Sequence, residues 1–264
     1  MEQAASHELI LYTKIFGERN TGTNYLEHLV RTNFSTELLR GGMEEIWHLA
    51  PTLLVGKPQI EQSDEVNRIY DADARRILDS DFGWKHSAPQ LQRILSSSHS
   101  NNTLFIMIVK HPYFWLRSLH DNPYYPGYRK EELCVFAERR MQIFDRDGLT
   151  EEWLEPAKIL ERKLRSYIVL AESNLNTLVI RYEDLLEMFE FSMDRISKFL
   201  PRKGHGTYNN LNKSAKASVK QRSLDFYKRK YNLNRASVAV DHKTKIVVRK
   251  SLSAEVLEWF GYEL

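Results

Sequence analysis

Four short segments of the chain are almost entirely apolar and rich in Ile, Val, Leu and aromatic residues, the pattern of buried β-strands. They span residues 9–16, 82–85, 103–109 and 177–181. The segments between them repeat apolar residues at helical spacing, which predicts helices at roughly 24–33, 64–79, 88–97, 113–120, 130–145, 151–173, 185–199, 214–231 and 253–260. Strands that alternate with helices are typical of a parallel sheet covered on both faces. We therefore predict an α/β fold with three layers, α/β/α, around a central parallel sheet, with extra helices.

Length and composition fit one globular domain over residues 1–264, with 42% hydrophobic and 28% charged residues. The longest clear apolar run, residues 104–109, is far shorter than the roughly 20 residues of a membrane helix, so no membrane partner is expected. The first residues lack the basic start and apolar stretch of a signal peptide. The single cysteine, Cys134, excludes an internal disulfide framework and a cysteine zinc site. These features favour a cytoplasmic location.

Positive charge is concentrated near the C-terminus. Residues 202–250 carry 14 Lys and Arg against two acidic residues, although the whole chain has a formal net charge of only +3. A separated basic block indicates an anionic partner, such as a polyanionic small molecule or a nucleic acid. The alternative is a solvated basic face without a ligand.

Ligands of parallel sheets bind at the carboxyl ends of the strands, so the residues that follow each predicted strand are the first candidates. After the first strand comes "GERNTGTN", in which Gly17 and Gly22 have the spacing of a nucleotide P-loop. Such a loop directs backbone N–H groups and the start of the next helix towards an anion. Thr23 and Asn24 stand where that motif has Lys and Ser or Thr, which argues against hydrolysis of Mg-ATP. An ordinary strand-to-helix turn is the alternative.

Polar residues also follow the second and third predicted strands. Lys85 and His86 leave the second strand side by side, and a histidine at this position is placed to act as a general base. The alternative is a histidine that satisfies backbone groups at a loop corner. Lys110 closes the third strand and Ser118 follows eight residues later, two turns into the next helix. These two side chains could hold one phosphate from two sides.

Tyr182 directly follows the fourth predicted strand, and Asp184 is placed to cap the helix that comes next. The apolar stripe of that helix is most simply core packing.

Taken in order, these segments resemble the sulfotransferases that use PAPS, 3′-phosphoadenosine 5′-phosphosulfate. The resemblance rests on "FGERNTGTN", "VKHPYFWLRS" and "IRYEDLL" followed by "ISKFL", and it covers residues 9–200. It implies a P-loop nucleotide-kinase-like fold. It also implies transfer of a sulfuryl group from PAPS to a hydroxyl or an amine of a small-molecule or carbohydrate acceptor. The product is PAP, and no metal is required.

The resemblance implies a role for each matching residue. The loop would bind the 5′-phosphosulfate, Lys110 and Ser118 the 3′-phosphate, and Tyr182 would lie beside the adenine. Arg202 and Lys203 resemble a family R-K-G segment that also contacts the 3′-phosphate. The donor-binding residues are therefore predicted to be Gly17, Arg19, Asn20, Thr21, Gly22, Thr23, Asn24, Lys110, Ser118, Tyr182, Arg202 and Lys203. The predicted catalytic residues are His86 as base, with Lys85 and Arg19 as cations.

The chain departs from the family at two positions. In "KHSAP" the histidine stands one place earlier than in the family's K-x-H-x-P segment. The family loop usually has Lys or Arg where this chain has Asn20, so Arg19, Lys85 or Lys14 would have to supply that charge.

Two other functions fit part of the pattern. A P-loop nucleotide kinase or NTPase would share the fold and the first loop. A non-enzymatic nucleic-acid-binding protein would use the basic and aromatic segment "KASVKQRSLDFYKRKYNLN". The acceptor is not indicated, although Tyr124, Tyr125 and Tyr128 lie in a loop where they could stack on a sugar or a planar group. The stretch 35–75, which contains Trp47, is a candidate lid.

Overall fold

The computed structural model describes residues 9–42, 59–123, 131–213 and 222–264. Its strands, in chain order, are β1 (Tyr12–Phe16), β2 (Glu37–Leu38), β3 (Thr103–Val109), β4 (Met141–Gln142), β5 (Trp153–Leu154) and β6 (Thr177–Arg181). Four of them form a parallel sheet in the order β2-β1-β3-β6, and β4 pairs with β5 as a separate antiparallel ribbon. The predicted α/β fold with a central parallel sheet is therefore confirmed.

The helices that surround the sheet are α1 (Thr23–Asn33), α2 (Gln59–Arg76), α3 (Leu78–Asp81), α4 (Leu91–Ser96), α5 (Pro112–Asp121), α6 (Leu133–Glu138), α7 (Pro156–Ala171), α8 (Tyr182–Glu187), α9 (Phe189–Ser197), α10 (Leu224–Lys230), α11 (His242–Ser251) and α12 (Ala254–Trp259). Short 3₁₀ turns occupy Asp145–Asp147 and Leu233–Val238.

The core lies on both faces of the sheet because β3 is buried along its whole length. Phe105, Met107 and Val109 belong to one apolar cluster, which includes residues of α7 and α12. Ile106 and Ile108 point to the other cluster, which includes residues of α1, α8 and α9. Alternation of side chains along one buried strand thus joins the two helical layers.

The prediction of a strand at 82–85 is wrong. Phe82 and Gly83 adopt positive φ angles of 60° and 81°, which a β-strand does not allow. The segment still runs beside the end of β1, because Gly17 N donates to Lys85 O at 2.9 Å and Lys85 N donates to Gly41 O at 2.9 Å. The edge of the sheet next to β1 is formed by β2 instead.

Helix lengths also differ from the prediction. The predicted helix 130–145 is helical only in α6, and α11 was not predicted. The tyrosines Tyr124, Tyr125 and Tyr128 and the lid residue Trp47 lie outside the described residues. Among the helices that are described, none is both long and apolar enough to cross a bilayer.

The C-terminal residues pack against the ends of β3 and β6. The buried Glu183 carboxylate accepts a hydrogen bond from His111 N at 2.9 Å and one from the Tyr262 hydroxyl at 2.9 Å. The His111 ring also lies 2.9 Å, through Nε2, from Glu263 O. This network holds the C-terminus at the sheet edge where the strand ends converge.

Candidate functional site

Residues 17–24, called loop 17–24 below, comprise the turn between β1 and α1 and the first two residues of α1. Glycine at position 22 has a structural reason. Gly22 is the N-cap residue of α1 with φ of 108°, and a Cβ atom there would lie 2.4 Å from the Tyr182 ring. Neither a capping side chain nor an acidic residue occupies the first turn of α1. The first N–H groups of a helix have no partner within the helix, and they carry the positive end of its dipole. The start of α1 can therefore receive an anion.

Two side chains predicted to bind the donor, those of Asn20 and Thr21, instead form hydrogen bonds that hold the loop. Thr21 Oγ1 donates to Glu18 O at 2.6 Å. Asn20 and Asn122 exchange amide hydrogen bonds of 3.2 and 3.1 Å, which tie the loop to the end of α5. The backbone of the loop is thus held in place before any ligand arrives.

Lys85 supplies positive charge at the start of α1. Its Nζ lies 2.9 Å from Asn24 Oδ1 and 2.9 Å from Glu27 Oε1. Glu27 was not singled out in the sequence, although it stands one turn after Asn24 on the same helix face.

Lys14, the other candidate for the charge missing at position 20, is buried and donates to Arg40 O at 2.6 Å and Gly83 O at 2.5 Å. Burial lowers the pKa of Lys14 to about 7, so it is a structural lysine.

His86 lies directly against the loop. Its Nδ1 is 2.6 Å from the Gly17 carbonyl oxygen. Because a carbonyl only accepts, Nδ1 carries the hydrogen, and the neutral ring keeps a lone pair on Nε2. Burial lowers the pKa of His86 well below its usual value, and the charges of Lys85 and Arg19 lower it further. The ring is therefore neutral at pH 7.

Lys110 and Ser118 are brought together by a residue that sequence reasoning missed, Tyr231. Lys110 Nζ donates to Asn20 O at 2.6 Å and lies 4.3 Å from the centre of the Tyr231 ring. Ser118 Oγ lies 3.0 Å from the Tyr231 hydroxyl and donates to Phe114 O at 2.8 Å. Burial would raise the pKa of Tyr231, but the Lys110 and Lys230 ammonium groups outweigh burial and lower it. The only sequence signal for Tyr231 was its place in the basic C-terminal block.

Tyr182 does not present an open surface. Its side chain is buried against Gly22, and the Lys110 ammonium lies 4.1 Å from its ring centre. The Tyr231 ring packs against it at 5.3 Å between ring centres. Tyr182 thus packs against both the loop and Lys110.

Arg202 and Lys203, which were predicted to contact the 3′-phosphate, lie at the opposite end of α1 from the loop. Lys203 N donates to Asn33 O at 2.9 Å, and Lys203 Nζ donates to Arg31 O at 2.7 Å. Asn33 is the last residue of α1 and lies about 15 Å along the helix from its first residue, Thr23, at 1.5 Å per residue. Arg202 and Lys203 are held there because residues 201–203 pair through their backbone with the chain at the end of α1 and just after it.

A basic pocket of about 570 Å³ opens beside Tyr231. Its cationic wall consists of Arg117, Arg229, Lys230 and Arg235. Its apolar wall includes Phe114, Phe226 and Val238. Asp121 lies 3.6 Å from Arg117 and 3.4 Å from Lys230, so the pocket keeps an excess of positive charge. Part of the basic block seen in the sequence therefore lines a concave site next to Lys110 and Ser118.

The acidic residue that follows β6 is engaged elsewhere. Both Asp184 carboxylate oxygens bond to the Arg181 guanidinium, at 2.6 and 2.9 Å. Within the described ranges, no three His, Cys, Asp or Glu side chains form a group that could hold a metal ion. The acidic ligand expected of a P-loop NTPase is therefore not provided by Asp184.

Comparisons with known proteins add little. No protein-family model matches the chain, and no curated protein matches it. Among solved structures, a sulfotransferase domain from the curacin biosynthetic pathway is similar, with 11% identity over 98% of this chain and 100% of that chain. The TM-score of that match is 0.44, too low for the likeness to support an argument.

Proposed function

We propose that the chain is a sulfotransferase that moves a sulfuryl group from PAPS to a hydroxyl or an amine, without a metal ion. The observation that carries the proposal is the 2.6 Å contact between His86 Nδ1 and Gly17 O. It holds a neutral imidazole, with its Nε2 lone pair available, against a loop suited to an anion. A kinase-like loop with a built-in base and no lysine at position 23 suits transfer of a group that carries less charge than phosphoryl.

The donor fits the charges of the site. PAPS carries about four negative charges, divided between its 5′-phosphosulfate and its 3′-phosphate. The start of α1 offers the N–H groups of Thr23 and Asn24, because those of Tyr25 and Leu26 donate to Gly22 O. Arg19 and Lys85 are the nearby cations. Lys110, Ser118 and the basic pocket lie beyond the loop, towards β6 and α10. We place the 5′-phosphosulfate at the loop and the 3′-phosphate between Ser118 and the basic pocket.

The 3′-phosphate, which the sequence assigned to Arg202 and Lys203, is bound by the basic pocket in this proposal. Arg229, Lys230 and Arg235 come from α10 and the turn after it, and Arg117 comes from α5, one residue before Ser118. Phe114 and Phe226 offer apolar surface beside these cations, which suits a nucleoside.

The proposed transfer assigns separate roles to His86, the loop and the two cations Arg19 and Lys85. PAPS supplies the sulfuryl group when bound. As the acceptor oxygen or nitrogen bonds to sulfur, the S–O bond to the 5′-phosphate breaks and its electron pair stays on the phosphate oxygen. His86 Nε2 takes the acceptor proton. The loop N–H groups, Arg19 and Lys85 stabilise the charge that develops on the transferred group and the leaving oxygen, as in phosphoryl transfer.

The test uses calorimetry and a transfer assay. The protein is titrated with PAP in the presence of EDTA, and separately with ATP and Mg²⁺. We expect binding of PAP with chelator present and weaker binding of Mg-ATP. Labelled PAPS with a panel of hydroxyl and amine acceptors then reports transfer. Binding of Mg-ATP together with failure to bind PAP would instead favour a kinase.

A further inference from the structure

A group of buried charges lies on the inner side of His86, away from the loop surface. Lys163, on α7, has a side chain with 0% exposure and a hydrogen bond of 2.7 Å from Nζ to the His86 carbonyl oxygen. The same Nζ lies 2.8 Å from Asp147 Oδ1 and 2.5 Å from Glu18 Oε2. Lys163 Nζ thus has two hydrogen-bond acceptors, His86 O and Asp147 Oδ1, and an ion pair with the Glu18 carboxylate.

The three partners belong to three different segments of the site. Glu18 follows Gly17 in the loop, and its Oε1 accepts from Arg19 N at 2.6 Å. Asp147 lies in the 3₁₀ turn before β5, and its carbonyl oxygen accepts from Ala88 N at 2.8 Å. Lys163 therefore links Glu18 in the loop to the His86 carbonyl and to Asp147, whose own carbonyl holds Ala88 N.

The contacts between His86 and Gly17 depend on this link. Gly17 N donates to Lys85 O at 2.9 Å, and Gly17 O receives His86 Nδ1 at 2.6 Å. Lys163 holds the residue after Gly17 through Glu18 and holds the His86 backbone through its carbonyl. Two of its three partners are thus adjacent to the two ends of the Nδ1 hydrogen bond.

Lys163 is charged in this setting. Burial alone would lower the pKa of Lys163, but the carboxylates of Asp147 and Glu18 outweigh burial and raise it. A buried cation between two carboxylates keeps a fixed geometry, because losing any partner leaves a charge without compensation in a low-dielectric interior.

We propose that Lys163 is a positioning residue that fixes the tautomer and orientation of His86 relative to loop 17–24. This inference rests on the proposed function, in which His86 is the base. Lys163 does not touch the substrates in this arrangement, and it acts through the His86 carbonyl and through Glu18.

The first measurement does not require activity. Protein labelled with ¹⁵N in the histidine ring is examined by NMR, with the His86 signals assigned from His86→Asn. In the wild type we expect hydrogen on Nδ1 and none on Nε2. In Glu18→Gln, one amide oxygen must replace two carboxylate oxygens that serve Arg19 N and Lys163, so one contact is lost. We expect the His86 signals of this variant to shift towards a mixture of the two tautomers.

The second measurement is kinetic. We expect Glu18→Gln to lower kcat at least tenfold, with a change in KM for PAPS of less than threefold. The double variant Glu18→Gln/Lys163→Met, which removes one carboxylate together with the cation, should lower kcat further. Lys163→Arg, which keeps the charge and N–H donors, should recover part of kcat relative to the double variant. Lys158→Met is the matched control on the same helix, because Lys158 is half exposed and pairs only with Glu155 in the described contacts.

The outcomes separate the two proposals. Wild-type His86 tautomer and kcat in a folded Glu18→Gln protein would overturn the role of Lys163. If the double variant fails to fold, Glu18→Gln and Lys163→Arg still decide the question through the same NMR and kinetic readouts. If the wild type transfers no sulfuryl group, the proposed function fails, while the NMR comparison still shows whether Lys163 fixes His86.

Discussion

The His86 imidazole donates from Nδ1 to the carbonyl oxygen of Gly17, 2.6 Å away, at the residue where loop 17–24 begins. This bond selects one tautomer, and the lowered pKa of His86 keeps the ring neutral. A base is useful only when it is unprotonated at working pH and within reach of the proton that it accepts. The contact thus fixes His86, the proposed base, next to the loop that is proposed to bind the anion.

Replacement of His86 by alanine should remove the base without removing the donor site. We expect His86→Ala to lower turnover by about 10²–10⁴ at saturating PAPS, the usual contribution of general base catalysis. The affinity for PAP, measured by calorimetry, should change little because the proposed arrangement puts His86 at the sulfuryl group, which PAP lacks. Near-normal turnover in this variant would show that another group takes the proton.

Lys85 should act in the transition state more than in donor binding. Its ammonium lies 2.9 Å from Asn24 Oδ1 at the start of α1. We expect Lys85→Met to lower kcat by about 10²–10³, as loss of one fixed donor to a developing charge usually does. Single-turnover rates with labelled PAPS measure this effect, and Lys85→Arg should retain more activity than Lys85→Met. An equal rate for both variants would contradict a role for the charge.

Tyr231 should compete with the nucleotide for Ser118. Its hydroxyl lies 3.0 Å from Ser118 Oγ, where we expect a phosphate oxygen to bind. Tyr231→Phe removes the hydroxyl that donates to Ser118 Oγ, a contact worth about 1 kcal/mol that is lost when Ser118 turns its own O–H from Phe114 O to the phosphate. PAP should therefore bind about fivefold more tightly, as measured by calorimetry. Weaker binding would show that the Tyr231 hydroxyl is itself a ligand.

The basic pocket should distinguish nucleotides by their 3′-phosphate. We expect Arg229→Gln and Arg235→Gln each to weaken PAP binding about tenfold, because each removes a charge-assisted contact to phosphate. Binding of 5′-AMP, which lacks that phosphate, should stay the same. Lys228→Gln is the control, since Lys228 lies on α10 but does not line the pocket. Equal losses for PAP and 5′-AMP would place the 3′-phosphate elsewhere.

His111 should make the fold sensitive to acid. Burial lowers the pKa of His111 to about 4 from an ordinary value near 6.5. The unfolded chain therefore binds the proton first, and stability is lost as the pH falls from about 6.5 to about 4. The shift corresponds to an upper limit of about 3 kcal/mol. Urea denaturation across this range measures the loss.

The comparison for His111 is His111→Asn, whose short side chain can still accept from Tyr113 N, as His111 Nδ1 does at 3.2 Å. This variant should be less stable at pH 7 but should lose less stability on acidification. His28→Asn is the control because His28 is exposed. Wild-type acid sensitivity in His111→Asn would assign the loss to other groups, among which His86 has a pKa lowered in the same direction.

Local patterns were enough for the main features of the sheet and the loop. Residues 103–109 and 177–181 were predicted as strands and form β3 and β6 with those bounds. A continuous apolar run of this length favours a strand of a parallel sheet, because both faces of such a strand are buried. The segment 82–85 contains the aromatic residues Phe82 and Trp84, but the positive φ angles of Phe82 and Gly83 prevent a strand there. Periodicity does not report backbone dihedral angles, so this error could not have been avoided.

The sequence by itself determined the central strands, the glycine loop at the end of β1 and the placing of Lys85, His86 and Lys110 just after apolar segments. These depend on interactions between residues close together in the chain, which leave a readable pattern. Only the tertiary structure decided that Tyr231 joins Lys110 to Ser118, that Lys163 holds His86, and that Arg202 and Lys203 lie at the far end of α1. Such contacts join residues that are distant in the chain, and their geometry follows from how the helices pack on the sheet.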